Sequence, residues 1–342
     1  MQNIATVSII IPSYNHALFL KQRIDSILNQ TFQDFEVIII DDCSTDHSRE
    51  IIECYRNHPK ITRIIYNDRN SGRVFKQWIN GIKKSAGKYI WIAESDDYAA
   101  PNFLEQTVRQ LEVDATVGMV FTGTQTVTEE GEYLLTSAQD KPQCYQHLAN
   151  FSNKIDKYNV AEFLITEMII TNASSVLFRK NEIVQVDFTE LSKFYNTGDR
   201  FVYISIALKS KILFLPNILN YMRSHDNNTT KQNIANGNIH RDRLKIINFF
   251  FDKLRFSTTN LETLAKFYKN SYIYYITYGD YKENVQVLKN LKSVGKVSST
   301  FYWVVLGYLQ ICNRSAIQLP GVKGIYYRLM ISLSYFDQDC QK

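Results

Sequence analysis

Glu94-Ser95-Asp96-Asp97 sets three acids within four residues, directly after the apolar run Tyr89-Ile90-Trp91-Ile92-Ala93. The run reads as a short buried strand, so the acids fall at its C-terminal end. In an open parallel α/β sheet, ligands bind outside the carboxyl ends of the strands. Carboxylates this close repel one another, and holding them together costs free energy unless a positive charge sits among them. A hard divalent cation with oxygen ligands is the natural partner. Such a cation, if it also held a diphosphate, would be a Lewis acid for a departing nucleotide. The plainer alternative is a solvated acidic turn that closes a strand.

Two familiar ways of holding phosphate are excluded. The first strand leads into Pro12-Ser13-Tyr14-Asn15-His16 without the GxGxxG glycines of a dinucleotide site, which argues against NAD and FAD. No GxxxxGK[ST] loop occurs either. Phosphate charge then has to be met by a metal or by side chains, which points back to Asp96 and Asp97.

The elements that must position these groups follow from the apolar pattern. Val7 to Pro12, Phe35 to Ile40, Ile61 to Tyr66 and Tyr89 to Ala93 read as strands. Helices are expected through Leu18 to Leu28, after the candidate caps Ser44 and Asp46, over Phe75 to Ser85, and from Pro101 through Leu111. Strands alternating with helices imply right-handed βαβ units and a mostly parallel sheet. After Val117 the pattern changes: Glu129-Glu130-Gly131 marks a turn between strands over 117–127 and 133–136. A loop is expected over 137–158, helices over 161–170 and 200–208, and strands over 174–178 and 212–216. The polar stretch Asp226 to Asn238 reads as a domain boundary, with helical character beyond it and breaks near Ser257, Gly279, Gly295 and Pro320-Gly321.

With 342 residues, 45% of them hydrophobic, the chain suffices for one large domain or a medium one with an appendage. Cys43, Cys54, Cys144, Cys312 and Cys340 are widely spaced and form no CxxC pair, so reduced thiols are expected, with neither a zinc site nor a disulfide framework. No signal peptide is expected after Met1-Gln2-Asn3-Ile4, and no apolar segment reaches the 18 or so residues needed to span a bilayer. The net charge of +5 is uneven: residues 240–342 carry 15 Lys/Arg against 7 Asp/Glu and 19 aromatics. That balance suits helices packed on a domain, and equally an anionic lipid surface. It does not suit nucleic acid, because no basic cluster or recognition motif accompanies it.

Several motifs, in order, resemble glycosyltransferase family 2, the inverting enzymes of the GT-A fold. They are Val7 to Asn15, Ser26-Ile27-Leu28-Asn29-Gln30-Thr31-Phe32, Ile40-Asp41-Asp42-Cys43-Ser44-Thr45-Asp46, Asn70-Ser71-Gly72 through Asn80-Gly81-Ile82, Ala86 to Ile90, Glu94-Ser95-Asp96-Asp97 and Thr197-Gly198-Asp199. The resemblance runs from about residue 5 to about residue 230. It implies a GT-A α/β domain over 1–230, mostly parallel with a small mixed sheet, and a helical appendage over 240–342. It places a DXD metal motif at Asp96 and Asp97, with Mn2+ or Mg2+ as cofactor, and His225 near the metal or diphosphate. Asp41 or Asp42 would accept from the base, with Pro12, Tyr14 and Asn15 beside base or ribose, Asp96 also meeting ribose, and Arg73 near the nucleotide. Asp199 would be the general base, on the opposite side of the sugar from the metal pair. Asn172, Ser174 and Ser175 would begin the acceptor side. Two departures stand out. Cys43 replaces a glycine, a mild change unless the backbone there needs positive φ. Glu94 stands where many members carry Asp, so Asp96 and Asp97 rank ahead of it.

The expected protein is a cytoplasmic enzyme, peripheral at the inner face of the membrane if residues 240–342 touch lipid. It would move a sugar from a nucleoside-diphosphate sugar, a UDP-sugar by preference, to a glycan or lipid-linked oligosaccharide during surface polysaccharide synthesis such as O-antigen or capsule. The rival readings are a sugar-1-phosphate nucleotidyltransferase, which would carry a Gly-rich basic loop after the first strand, and a degenerate sugar-nucleotide-binding protein, which would have lost Asp96, Asp97 or Asp199.

Overall fold

The computed structural model describes residues 4–140, 157–225, 229–254, 261–266, 268 and 281–314. The chain divides into two compact units, Met1–Asn228 and Thr229–Lys342.

In the first unit, β-branched runs make the central strands. β1 (Val7–Ser13), β2 (Phe35–Asp41), β3 (Ile61–Tyr66) and β4 (Tyr89–Ile92) form a parallel set in the order β3-β2-β1-β4. Both faces of β1 are buried, as a parallel sheet covered by helices requires. On one face Ile9 and Ile11 join a core with Leu20, Ile24 and Ile27 of α1 (Ala17–Leu28) and with Phe103, Leu104 and Leu111 of α4 (Phe103–Val113). On the other lies α3 (Val74–Lys84), whose Phe75, Trp78, Ile79 and Ile82 recur at helical spacing and are buried. α2 (Ser48–Cys54) connects β2 to β3. It begins later than Ser44, whose hydroxyl is used elsewhere, while Asp46 Oδ1 accepts the Ser48 N–H at 3.0 Å.

The mixed strands do not form a separate sheet. β8 (Val176–Arg179) pairs antiparallel with both β4 and β6 (Val117–Val127), and β6 runs parallel to β9 (Lys211–Arg223). β5 (Tyr98–Ala99) pairs with β9, and β7 (Tyr133–Thr136) with β6, so one nine-stranded sheet accounts for the described strands. β9 continues well past Pro216, where the sequence suggested an end. Proline is accommodated because the β6–β9 register shifts between Thr122 and Thr124: Leu215 pairs with Thr122 and Ile218 with Gly123, which leaves Pro216 in the irregularity. Further differences are local. The helix expected over 161–170 spans Lys157–Thr166, the strand expected from Ser174 opens with a 3₁₀ turn over Ala173–Ser175, and Ser137–Asp140 is a helical turn within the expected loop. Residues 141–156 of that loop lie outside the described residues.

The second unit is helical where described: Thr229–Ala235, Asn238–Phe251, Tyr281–Ser293 and Ser299–Arg314, with residues 261–266 helical as well. Thr229–Ala235 lies in the polar stretch that showed no periodicity. It ends as Gly237 takes φ +76°, which lets the next helix begin at Asn238. Leu244, Ile247, Phe250, Val287, Leu288, Leu291, Phe301 and Val305 are buried. The break expected at Gly295 falls between helices, with φ +70°. Those at Ser257, Gly279 and Pro320-Gly321 lie outside the described residues.

Candidate functional site

Because β1, β2 and β4 are parallel and in register, their C-terminal ends open on one edge. Ser13 pairs with Asp41, the Asp42 N–H donates to the Ser13 carbonyl at 2.8 Å, and the Ala93 N–H donates to the Ile10 carbonyl at 2.8 Å. The loops after β1 and β2 are then laced together. The Asn15 N–H donates to Ser44 Oγ at 2.9 Å, and the Thr45 N–H donates back to Asn15 Oδ1 at 2.8 Å. The His16 N–H reaches Ser48 Oγ at 3.2 Å, and the Ala17 N–H reaches Asp46 Oδ2 at 2.9 Å. Asn15 and Cys43 hold this crossing in left-handed conformations, with φ +53° and +66°. The cysteine standing for glycine is therefore not a mild change: its backbone does need positive φ, which a Cβ opposes. Pro12 lies buried in β1, and the Tyr14 side chain is exposed beside the crossing.

Asp41 and Asp42 are both buried and both fix neighbouring loops. Asp41 Oδ1 accepts from Arg49 Nε at 2.7 Å and from the Ser44 N–H at 3.1 Å, while Oδ2 is buried without a hydrogen-bond partner. Asp42 accepts from Asn67 Nδ2 at 2.7 Å, from the Ser71 hydroxyl at 2.7 Å and from the Ser71 N–H at 3.0 Å. Arg73, expected at the nucleotide, donates to the Lys193 carbonyl at 2.7 Å and lies over the Tyr195 ring, 4.0 Å from its centroid.

The acidic turn is held from below by cations. Arg23 is fully buried. Its Nε donates to the Glu94 carbonyl at 2.8 Å, and its Nη2 lies 3.8 Å from Asp97 Oδ2. Asp97 is engaged through both oxygens: Oδ2 accepts from Asn172 Nδ2 at 2.9 Å and from the Ser174 hydroxyl at 2.8 Å, and Oδ1 from the Arg223 N–H at 3.1 Å. Asn172 and Ser174, expected on the acceptor side, thus meet Asp97, and the Ser175 hydroxyl donates to the Asn172 carbonyl. Burial, with the Asp96 charge adding to it, pushes the Asp97 carboxyl up, and Arg23 opposes the shift. Glu94 accepts from Trp78 Nε1 at 2.9 Å, and burial plus the same neighbouring charge push it up to about 8.

Asp96 faces a different company. His225 Nε2 lies 3.2 Å from Asp96 Oδ2, and the ligand atoms of His16, Asp96 and His225 all fall within 4.8 Å of one another. Burial raises the Asp96 carboxyl, but the two histidines outweigh it and hold the group below the usual carboxylate range. The arrangement brings His225 and His16 to Asp96 and turns Asp97 toward β9 and the 172–174 turn.

Asp199 opens the helix Gly198–Ala207, where its charge suits the N-terminus. The helix comes close to α3: a Cβ on Gly198 would stand 2.7 Å from the Phe75 ring. Asp199 borders a small hollow with Leu164, Met168, Ile170 and Tyr203. The Tyr203 hydroxyl is buried, and burial followed by the charges of Asp199 and Glu94 pushes its pKa well up.

Three residues of this site were not singled out from the sequence. Arg23 had a signal, a charge among the apolar positions Leu20, Ile24 and Ile27 of α1. Arg223 and His16 had none beyond proximity to His225 and Asn15; only the fold brings them to the turn.

Residues 8–178 match the family model described as glycosyl transferase family 2, half of the chain. A chondroitin synthase of Pasteurella multocida is 27% identical over 295 residues, which cover 86% of this chain. The chain spans only 28% of that relative's length. Among solved structures, S. aureus TarS 1–349 in complex with UDP-GlcNAc superposes with a TM-score of 0.61 at 16% identity, covering 90% of this chain and 87% of the other. The mannosyltransferase PcManGT from Pyrobaculum calidifontis, in complex with GDP-Man and Mn2+, gives 0.52 at 14% identity, covering 100% and 89%. The two structures share the α/β fold with its mixed sheet.

Proposed function

The chain belongs to glycosyltransferase family 2 and is a glycosyltransferase, and from that premise we propose that it transfers a sugar, with inversion, from a UDP-sugar to a glycan hydroxyl with the help of Mn2+ or Mg2+. The observation that carries this reading is the grouping of Asp96 with His225 at the C-terminal end of β4, beside the laced loops of β1 and β2. The donor set suits a divalent cation: a carboxylate oxygen beside imidazole nitrogen. A cation held there would supply Lewis-acid stabilisation to the departing diphosphate. The chain's own residues do the rest. Pro12, Tyr14, Asn15 and the Asp41–Asp42 pair border the base and ribose, with Asp41 or Asp42 accepting from an imide N–H of the base. Asp97 anchors the turn to β9 and to Asn172 and Ser174 so that Asp96 is presented in one orientation. Asp199 accepts the proton of the acceptor hydroxyl as that oxygen attacks the anomeric carbon. Arg73 secures the 192–195 segment near this base.

The relative named chondroitin synthase supports a polysaccharide acceptor, and a lipid-linked oligosaccharide is the form we favour. The solved neighbours with UDP-GlcNAc and GDP-Man support a nucleotide-sugar donor. Against a degenerate binding protein stands the presence of Asp96, Asp97 and Asp199 together. A thermal-shift panel of UDP-, GDP- and dTDP-sugars tests the reading, since a ligand of the native state raises stability by RT ln(1 + [L]/Kd). UDP-sugars with Mn2+ should give the largest shift. No shift with any donor, metal present, would sink it.

A further inference from the structure

The group around Asp96 has a composition that the acidic motif alone does not supply: two imidazoles and one carboxylate, with ligand atoms within 4.8 Å of one another. All three side chains are held. His225 is 3% exposed and its Nε2 sits 3.2 Å from Asp96 Oδ2. The His16 ring is oriented by a 2.7 Å hydrogen bond between Nδ1 and the hydroxyl of Ser95, the residue before Asp96. The two imidazoles meet edge to face with centroids 5.7 Å apart, and Phe19 packs on the His225 ring at 5.0 Å. Both oxygens of Asp97, by contrast, already accept hydrogen bonds from Asn172, Ser174 and the Arg223 backbone.

We propose that His16, rather than Asp97, is the third protein ligand of the cation at this site, and that the site selects Mn2+ and similar transition ions over Mg2+. The assignment rests on the reading of the site as one for a metal and a diphosphate. Mg2+ demands near-ideal octahedral oxygen coordination, whereas imidazole suits transition ions such as Zn, Cu, Fe and Ni; carboxylate serves Mg2+ and Mn2+ alike, so it is the second imidazole that disfavours Mg2+. Two histidines and one carboxylate on one side of an ion leave its other positions open, where diphosphate oxygens could enter. Ser95 then acts as the outer partner that fixes the His16 ring, as hydrogen-bonded neighbours of metal-bound imidazoles do.

The test is Mn2+ binding by electron paramagnetic resonance on the full-length protein without nucleotide, with Mg2+ as competitor and nitrogen modulation as the ligand count. Wild type should bind one Mn2+ with a preference over Mg2+ of about tenfold or more, and show two coupled ring nitrogens. His16→Ala should lose one nitrogen and weaken Mn2+ by about tenfold or more while Mg2+ changes much less. His16→Gln, which can still reach Ser95 but offers no ring nitrogen, should behave like His16→Ala. If His16 only positions Ser95, Gln restores binding and the assignment is overturned. It is equally overturned if His16→Ala, with an unchanged melting temperature, keeps both nitrogens and its Mn2+ affinity within twofold. Sugar transfer is not part of the readout. Normal Mn2+ binding without turnover would count against the transferase reading alone, and unchanged binding in the variants against His16 alone.

Discussion

At Asp199 the account is most exposed to a single substitution. An N-terminal helix position explains an acid there by charge alone, and chemistry explains it by proton transfer. Asp199→Asn separates the two. If the carboxylate takes the acceptor proton, kcat should fall by roughly 10²–10⁴ while donor affinity stays within a few-fold. Turnover near wild type would return the residue to a helix-terminal role. Cys43 makes a second prediction at this scale. At φ +66° its Cβ is strained, and glycine would relieve that strain at some cost in unfolded-chain entropy. Cys43→Gly should therefore stabilise the protein by about 0.5–1 kcal/mol in urea unfolding. A destabilised variant would mean that the Sγ contact to the Asp68 carbonyl, at 3.6 Å, outweighs the strain.

Elements decide where these residues end up. The parallel strands and their covering helices were legible in the sequence because β-branched runs such as Val7 to Ile11 and helical stripes such as Phe75, Trp78 and Ile82 each have one way to be buried. The end of β9 was not, because Pro216 signals a stop unless a register shift opposite Gly123 accommodates it. Site legibility divides the same way. Asp96 and His225 were readable by type, but which of Asp96 and Asp97 faces the histidines depends on β9 and the 172–174 turn arriving beneath the acids. That placement is tertiary and leaves no local pattern. The packing of Gly198 on Phe75 carries an element-scale prediction. Gly198→Ala should push the helix that bears Asp199 off α3, costing about 1–3 kcal/mol and lowering kcat more than donor affinity. Adding Phe75→Leu should recover part of both losses, a coupling that independent sites would not show.

For the molecule as a whole, the second unit poses the question of lipid. No described helix is long and apolar enough to cross a membrane. Part of the aromatic content is spent internally, since Phe250 and Phe301 are buried, while Trp303 is 65% exposed. Basic residues near an anionic surface contribute about 1 kcal/mol each and lose it to salt. Co-sedimentation with anionic vesicles should thus be strong at low salt, weaker near ~0.5 M, and reduced by reversing Lys289 and Lys292, which leaves the Lys296–Glu262 pair at 2.8 Å intact. Indifference of the wild type to anionic vesicles would make the unit purely structural. The central claim, metal-dependent use of a nucleotide sugar, is tested most directly by nucleotide release from a panel of UDP-sugars, with water or a glycan as acceptor. Release should occur with Mn2+, stop with EDTA, return when Mn2+ is restored, and be lost in Asp199→Asn. Release that continues undiminished in EDTA, or no release from any donor with Mn2+ present, would contradict it.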